Sequence, residues 1–436
     1  MTHSVRCLAL ACIALASAPA QAQSPASDSL RLGALHTGAM RRDPRARALE
    51  LLAAQSRLRQ RNVDAEQRPS LAVEGQAQYQ SDVARIPIVL PGGASPPVPP
   101  HDTYDARVVA QQRLYDPTRA TRRAMEDAQL ADAQARLRVT LTGVRQNVND
   151  LFFAALRAQS QRSESELAIT DLEAQRAVAA VRVREGTALP SEEMTLRAEV
   201  LRRRQSVAEL NASRRATLEV LADLTGASLD TAVVLGARDL AAAVSRARAG
   251  LSDTRARAEY EQFASTRALL ARQESARSAQ DKPRVSAFGR VGYGRPGLNP
   301  LSTRFDAYWL TGVQLQWSPW TWGTTDRDRE VLLLQQQIVS AEEQQFTEAL
   351  RRGTAQDLAS IDRLSAALDA DDEIVALRDS ILTETRVRFA EGVVTSAEYV
   401  DRQTDVLGAR VSRALHRVEL AQARARFLTT LGIEVW

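Results

Sequence analysis

Two long stretches of the chain repeat their apolar positions every seven residues. Between Asp116 and Glu185 one track runs Leu130, Leu137, Val144, Leu151, Ala158 and, past Ser165, Leu172; a second runs Leu141, Val148, Ala155, Ile169 and Val183. Offsets alternating between four and three are coiled-coil spacing, in which one seam of a helix packs on a neighbour. The stretch Thr325–Ala390 repeats the pattern with Ile361, Leu368, Val375, Leu382 and Phe389. Each stretch runs roughly 65–70 residues without a break, against an average nearer 12 for globular helices. The spacing therefore predicts two very long helices in an elongated bundle.

Between the helices the period changes to two, which predicts strands. In "RPSLAVEGQAQYQ", Leu71, Val73, Ala77 and Tyr79 point one way and Glu74, Gln76 and Gln78 the other. In "DTYDARVVAQQRLY", Tyr104, Ala106, Val108, Ala110 and Leu114 oppose Asp105, Arg107, Gln111 and Arg113. The Pro/Gly-rich run Ile86–Pro100 can continue neither strand and reads as a loop. A second pair is "KPRVSAFGRVGYG" and "FDAYWLTGVQLQW", where Ala307, Trp309, Thr311, Val313, Leu315 and Trp317 oppose Gln314 and Gln316. Four tryptophans (Trp309, Trp317, Trp320, Trp322) gather at this last strand. Aromatic residues near strand ends suit a membrane interface. Tyr79, Tyr104, Trp309, Trp317 and Trp320 are the candidates.

The order helix, strand, strand, long helix, break, shorter helix occurs twice. The breaks are "VREGTALPSEEM" from Val183 and "FAEGVVTSAEYV" from Phe389. The first repeat is expected over 23–226, with strands about 70–80 and 103–115, a long helix 117–185 and a return helix 191–225. An equatorial segment follows over 227–250. The second repeat is expected over 251–436, with strands about 284–293 and 306–318, a long helix 325–390 and a return helix 396–431. A helix over 117–185 spans about 100 Å; 191–225 and 252–280 give about 50 and 45 Å. These two are therefore expected to climb back end to end, with the equatorial segment at mid-height.

Charge changes little in this picture. The formal net charge is +4 over 436 residues, too balanced for a nucleic-acid footprint. Four scattered histidines (His3, His36, His101, His416) suggest no metal cluster. Residues 1–22 read as a secretory signal: Arg6, a short apolar core Cys7–Ala16, then the small-residue site Ala20–Ala22. Both cysteines, Cys7 and Cys12, lie inside it, so the exported chain would carry none. No nucleophile–base pair, P-loop or HExxH pattern is present. The chain is expected to be no enzyme and to need no cofactor or metal.

Four strands cannot close a membrane barrel, and an open sheet edge is not tolerated in lipid. With its duplicated strand–strand–long-helix order, its export signal and its two Glu-Gly breaks, the whole exported chain resembles the TolC family of outer-membrane efflux proteins. The fold class that follows is mostly α with a small β part: long coiled-coil hairpins plus four membrane strands per chain. The resemblance implies a homotrimer, with a 12-stranded barrel in the lipid of the bacterial outer membrane and an α-helical tunnel across the periplasm. It also implies a channel function in a tripartite efflux or export system, served by a periplasmic adaptor and an inner-membrane pump. The alternative is a periplasmic coiled-coil adaptor of the membrane-fusion type, which the duplication and the two strand pairs argue against.

Gly186 and Gly392 suit the left-handed cap that ends a helix. Glu192 and Glu398 follow each glycine by six residues and also suit capping, beside Pro190 and Thr395. The resemblance implies that acidic residues here lie near the periplasmic aperture. Glu192, Glu398 and Asp401 are thus the aperture candidates, Asp401 lying one turn beyond Glu398 where the first copy has Thr195. The best-known family member has a tyrosine and an arginine where this chain has Phe389 and Val394, so any closure here is expected to use apolar packing of Phe389. The resemblance also makes Arg182, Arg184, Glu185, Gly186, Arg388, Glu391 and Gly392 the adaptor-docking tips.

Overall fold

The structure is a computed structural model that describes residues 32–84, 98–250 and 257–433. The expected export signal, most of the Ile86–Pro100 loop and Trp436 lie outside the described residues. Two helices come first among the described residues, α1 (Leu32–Arg42) and α2 (Pro44–Ala65). Asp43 separates them, accepting a bond from the Arg45 backbone N–H at 2.8 Å, and Pro44 takes the first helical position. Strands β1 (Ser70–Tyr79) and β2 (Asp102–Tyr115) lead into α3 (Thr118–Arg184), which turns back as α4 (Pro190–Thr225). A short α5 (Ala241–Ala249) and α6 (Ala258–Gln280) precede β3 (Arg284–Arg295) and β4 (Asp306–Gln316). The chain then repeats its long hairpin as α7 (Thr324–Ala390) and α8 (Ser396–Thr430). Both long helices have 67 residues, about 100 Å each.

The helices form one elongated array, in which α4 also touches α8 near the tips. In the half near the tips, α4 and α8 flank α3, and α8 also packs on α7. In the half near the sheet, α2 and α6 flank α3, and α6 also packs on α7. Columns therefore form by stacking, but not from neighbours in sequence. The end of α4 meets α1: a side chain at Gly38 would strike the Thr225 carbonyl at 2.7 Å, and Arg42 reaches Asp223. The end of α8 meets α6, where Arg257 donates to the Thr430 carbonyl at 2.6 Å. This corrects the expectation that the stretches 191–225 and 252–280 stack on each other. The segment between them crosses α3 at mid-height, pinned by Leu235, Leu240 and Val244 in the core and by Arg214, which donates to the Thr231 carbonyl at 2.8 Å. Crossing there exchanges the columns.

Where the columns change over, the core is thickest. Leu35, Phe152, Phe153, Leu221, Phe427 and Leu428 close around a buried polar link, in which Asn149 bonds His36 at 2.8 Å and Thr429 at 3.1 Å. Burying each such apolar side chain contributes roughly 1.5–3 kcal/mol.

The four strands form one antiparallel sheet in the order β1-β2-β3-β4. Its register separates two faces. Val73, Val108, Val291 and Trp309 lie abreast on one, and Leu71, Ala110, Gly289 and Thr311 in the next row of the same face. Glu74, Arg107, Gly292 and Tyr308 lie abreast on the other. There Arg107 bonds Glu74 at 2.7 Å and Asp105 at 2.9 Å, and Tyr308 donates to Asp105 at 2.6 Å. The alternation fails at one point: a bulge between Arg113 and Tyr115 brings Tyr115 opposite Val285, so Leu114 loses the place expected for it. The outer edges of β1 and β4 have no strand partner among the described residues.

Candidate functional site: the paired hairpin tips

Both hairpins turn in the same way. At the first tip Gly186 has φ +74°, its N–H reaches the Val183 carbonyl and the Thr187 N–H reaches that of Arg182. At the second, Gly392 has φ +79°, its N–H reaches Phe389 and the Val393 N–H reaches Arg388. These are Schellman caps, which satisfy the last carbonyls of a helix and need a left-handed residue. The restarts differ. Pro190 opens α4 without a side-chain cap, whereas Thr395 accepts from the Glu398 N–H at 3.3 Å.

The two tips then lock together. Phe389 is fully buried and stacks on Tyr399 with ring centroids 5.2 Å apart. Leu172, Ala179, Leu196, Val200, Leu382 and Val406 complete this second core. Arg182 reaches across from the first tip: its Nη1 donates to the Phe389 carbonyl at 2.8 Å, and its guanidinium lies 5.8 Å from the Phe389 ring centre. Above this contact, Asp171 on α3 accepts from Tyr399 on α8 and from Arg386 on α7, each at 2.6 Å. Burial, reinforced by the Asp171 charge, pushes the Tyr399 hydroxyl far above its ordinary value, so it stays protonated and donates. Burial works against the Arg386 cation, but Tyr399 and Asp171 outweigh it and raise its pKa. One carboxylate thus ties together three helices.

The sequence candidates fall into distinct places. Phe389 is buried inside the chain, and Arg182 is half-buried against it. Arg184, Glu185, Gly186, Glu391 and Gly392 are exposed at the turns, and Arg388 is exposed and paired with Glu384 at 2.5 Å. Glu398 and Asp401 are exposed on α8, and neither carboxylate has a partner among the described residues. Glu192 is half-buried, with one carboxylate oxygen enclosed and unbonded. Tyr79 and Tyr104 sit at the loop end of the sheet, Tyr79 stacked on His101. Trp309 stands on the apolar face, 72% exposed. At the helix end Trp317 donates to the Asp281 carbonyl at 3.0 Å and Trp320 packs edge-on to Trp322. Heptad spacing does not single out Asp171, Arg386 or Tyr399. A tyrosine only four residues past a cap threonine was the available signal.

Among the described residues no helix is long and apolar enough to cross a membrane, and no cluster suited to a metal ion occurs. No family model matches the chain, and no curated protein matches it in sequence. Solved structures do. The chain is similar to CusC, described for conformational changes in folding and transmembrane channel formation: TM-score 0.68, 15% identity, 93% of each chain covered. It is similar to the outer membrane protein VceC of Vibrio cholerae: TM-score 0.65, 14% identity, 92% of this chain and 96% of that one. The open-state outer membrane channel MtrE of Neisseria gonorrhoeae matches with TM-score 0.65, 18% identity, and 93% and 89% coverage. The fold of this chain is therefore that of the TolC-like outer-membrane channels, over nearly its whole length.

Proposed function

We propose that the chain is the outer-membrane channel of a tripartite efflux or export system. The observation that carries this reading is the open sheet. Among the described residues its two edges lack strand partners, one face is apolar and exposed, and lipid tolerates neither an open edge nor an uncompensated polar backbone. Joining β4 of one copy to the β1 edge of the next closes a barrel. Two copies would give eight strands, a bore just filled by side chains; three give twelve and leave a lumen. The helical layer supports the same head-to-tail arrangement. Its α7 flank exposes Val331, Leu334 and Ile338, then Ile374, Leu377 and Ile381; its other flank exposes Leu51, Leu58, Leu201 and Val220. Two unlike apolar flanks on one subunit suit a heterologous ring.

In that ring the polar face of the sheet lines the lumen and the tips form the periplasmic end. There Glu192, Glu398 and Asp401 border the aperture, and the exposed Arg184, Glu185, Arg388 and Glu391 meet an adaptor that connects to an inner-membrane pump. A periplasmic adaptor role has no support from the matched folds. The test is fractionation followed by mass measurement in detergent and conductance in planar bilayers. The reading expects a three-copy particle from the outer membrane that conducts ions; a monomer in the soluble periplasmic fraction overturns it.

A further inference from the structure

The polar face of the sheet is not evenly neutralised. Near the loop end Arg107 is matched by Glu74 and Asp105. Nearer the helices, Arg284 and Arg290 have no ion-pair partner among the described residues; Arg290 lies over the Phe288 ring at 5.4 Å. They share a face, about 20 Å apart along β3. The unmatched charge on the helix-side half of this face is therefore positive.

Below it opens a cleft of about 800 Å³, between the base of the sheet, the first turns of α3 and the last turns of α6. Arg113, Arg122, Arg277 and Arg284 line it, with Asp116 as the lining carboxylate. Three of these arginines are held in place. Arg113 and Arg122 share Glu66 and Asp116, and Arg277 bonds Asp328 and Gln280. Arg284, the first residue of β3, is held by none. Five glutamine amides, among them Gln280, Gln314 and Gln316, add donors and acceptors, and Met125 and Leu332 add apolar wall.

We propose that this cleft binds small organic anions bearing a carboxylate, with Arg284 as the anchoring cation. A guanidinium presents its donors as a fork that matches a carboxylate. The glutamines suit a hydrogen-bonding body, and the volume is that of a site for a drug-sized molecule. That the cleft is a station on a transport route rests on the channel reading; the binding itself does not. In the trimer the site occurs three times, where barrel meets tunnel, and Arg290 extends its positive field toward the outside.

The test uses the full chain in detergent and two dyes of one ring system, carboxyfluorescein and a cationic rhodamine ester, read by fluorescence anisotropy. The anionic dye binds more tightly than the cationic one, and R284Q weakens it about tenfold, the loss of one charge-assisted bond. R284K, which keeps the charge without the fork, falls between. The Arg284 side chain has no ion-pair or hydrogen-bond partner among the described residues, so unchanged circular dichroism of R284Q serves as the folding control. Equal binding of both dyes, or unchanged carboxyfluorescein binding in R284Q, overturns the site. In planar bilayers under a salt gradient, R284Q/R290Q shifts the reversal potential toward cation selectivity. Pores that form but show no shift also count against the site. If no pores form, the channel reading fails while the anisotropy still decides the cleft.

Discussion

The two tips share a backbone and a Glu-Gly turn but differ in the side chains that pack beneath it. Set glycine on glycine, Val183 corresponds to Phe389, Glu193 to Tyr399, Asp171 to Leu377 and Thr195 to Asp401. The second tip supplies the buried aromatic pair; the first supplies Arg182 and Asp171, which reach over and hold it. Placement in the layer explains the division. Helix α3 has neighbours on both sides, so Asp171 meets α7 and α8, whereas α7 is a flank and its Leu377 is 59% exposed. Duplication copies a turn readily because a turn is local. What packs against it depends on surroundings that the two copies do not share.

The strongest way to break this comparison is Phe389→Ala. Removing a fully buried aromatic costs about 3–5 kcal/mol, and hydrogen exchange should show both tips opening together. Val183→Ala, at a half-buried site, should leave tip protection nearly intact. Equal effects would mean that the tips are equivalent after all. Next comes the glycine pair. Alanine in the left-handed region costs about 1–2 kcal/mol at either site, but at Gly392 a Cβ would also meet Arg182 Nη2 at 2.6 Å, whereas nothing lies within 4 Å at Gly186. Gly392→Ala should therefore be worse by about 1 kcal/mol, the value of the bond from Arg182 to Phe389. Adding Arg182→Ala to both should erase the difference in melting temperature.

Acid probes the first hairpin on its own. Burial raises the Glu199 carboxyl, but bonds from Arg202 and Arg203 outweigh it, and the folded pKa is lowered. A depressed carboxyl stabilises the fold fully above its unfolded value of about 4.3 and loses that contribution as pH falls through the folded value. Arg203 also bonds Thr404 on α8 at 2.8 Å, so protection of α4 near Glu199 should drop on acidification. Glu199→Gln should flatten the response; an unaltered pH profile in that variant would remove the pair from the account. The smallest structural effect belongs to Asp401→Asn. Its exposed, unpartnered carboxylate predicts a stability change within about 0.5 kcal/mol. Block of the proposed pore by multivalent cations should nevertheless weaken, and unchanged block would take Asp401 out of the proposed aperture.

Local pattern made the mainly helical class and the small antiparallel sheet legible. Heptads such as Leu130 to Leu172 and the alternation of Leu71 and Val73 with Glu74 and Gln76 are short-range signals. The pairing of β2 with β3 links segments far apart in sequence, and nothing local encodes it. The column exchange is invisible to local pattern for a related reason. Adjacent helices of suitable length looked like stacking partners, while contacts such as Gly38 on Thr225 and Arg257 on Thr430 are long-range. The Asp171, Arg386 and Tyr399 link was hidden because an aspartate and an arginine on a long charged helix look like solvated surface. Only the meeting of three helices gives them a common address.

The exchanged columns also set an order of events for a chain made from its N-terminus. One side of α3 can be completed early, because α1, α2 and α4 all belong to the first half of the chain. The other side waits for α8, the last helix described, which enters the groove between α3 and α7 beneath α6. Until it arrives, the apolar seam of α3 that includes Phe152 and Leu172 stands open, the kind of exposed surface that invites aggregation. The chain's most vulnerable moment is thus the interval before its last described helix docks, and a chaperone that covers apolar helices would act in that interval.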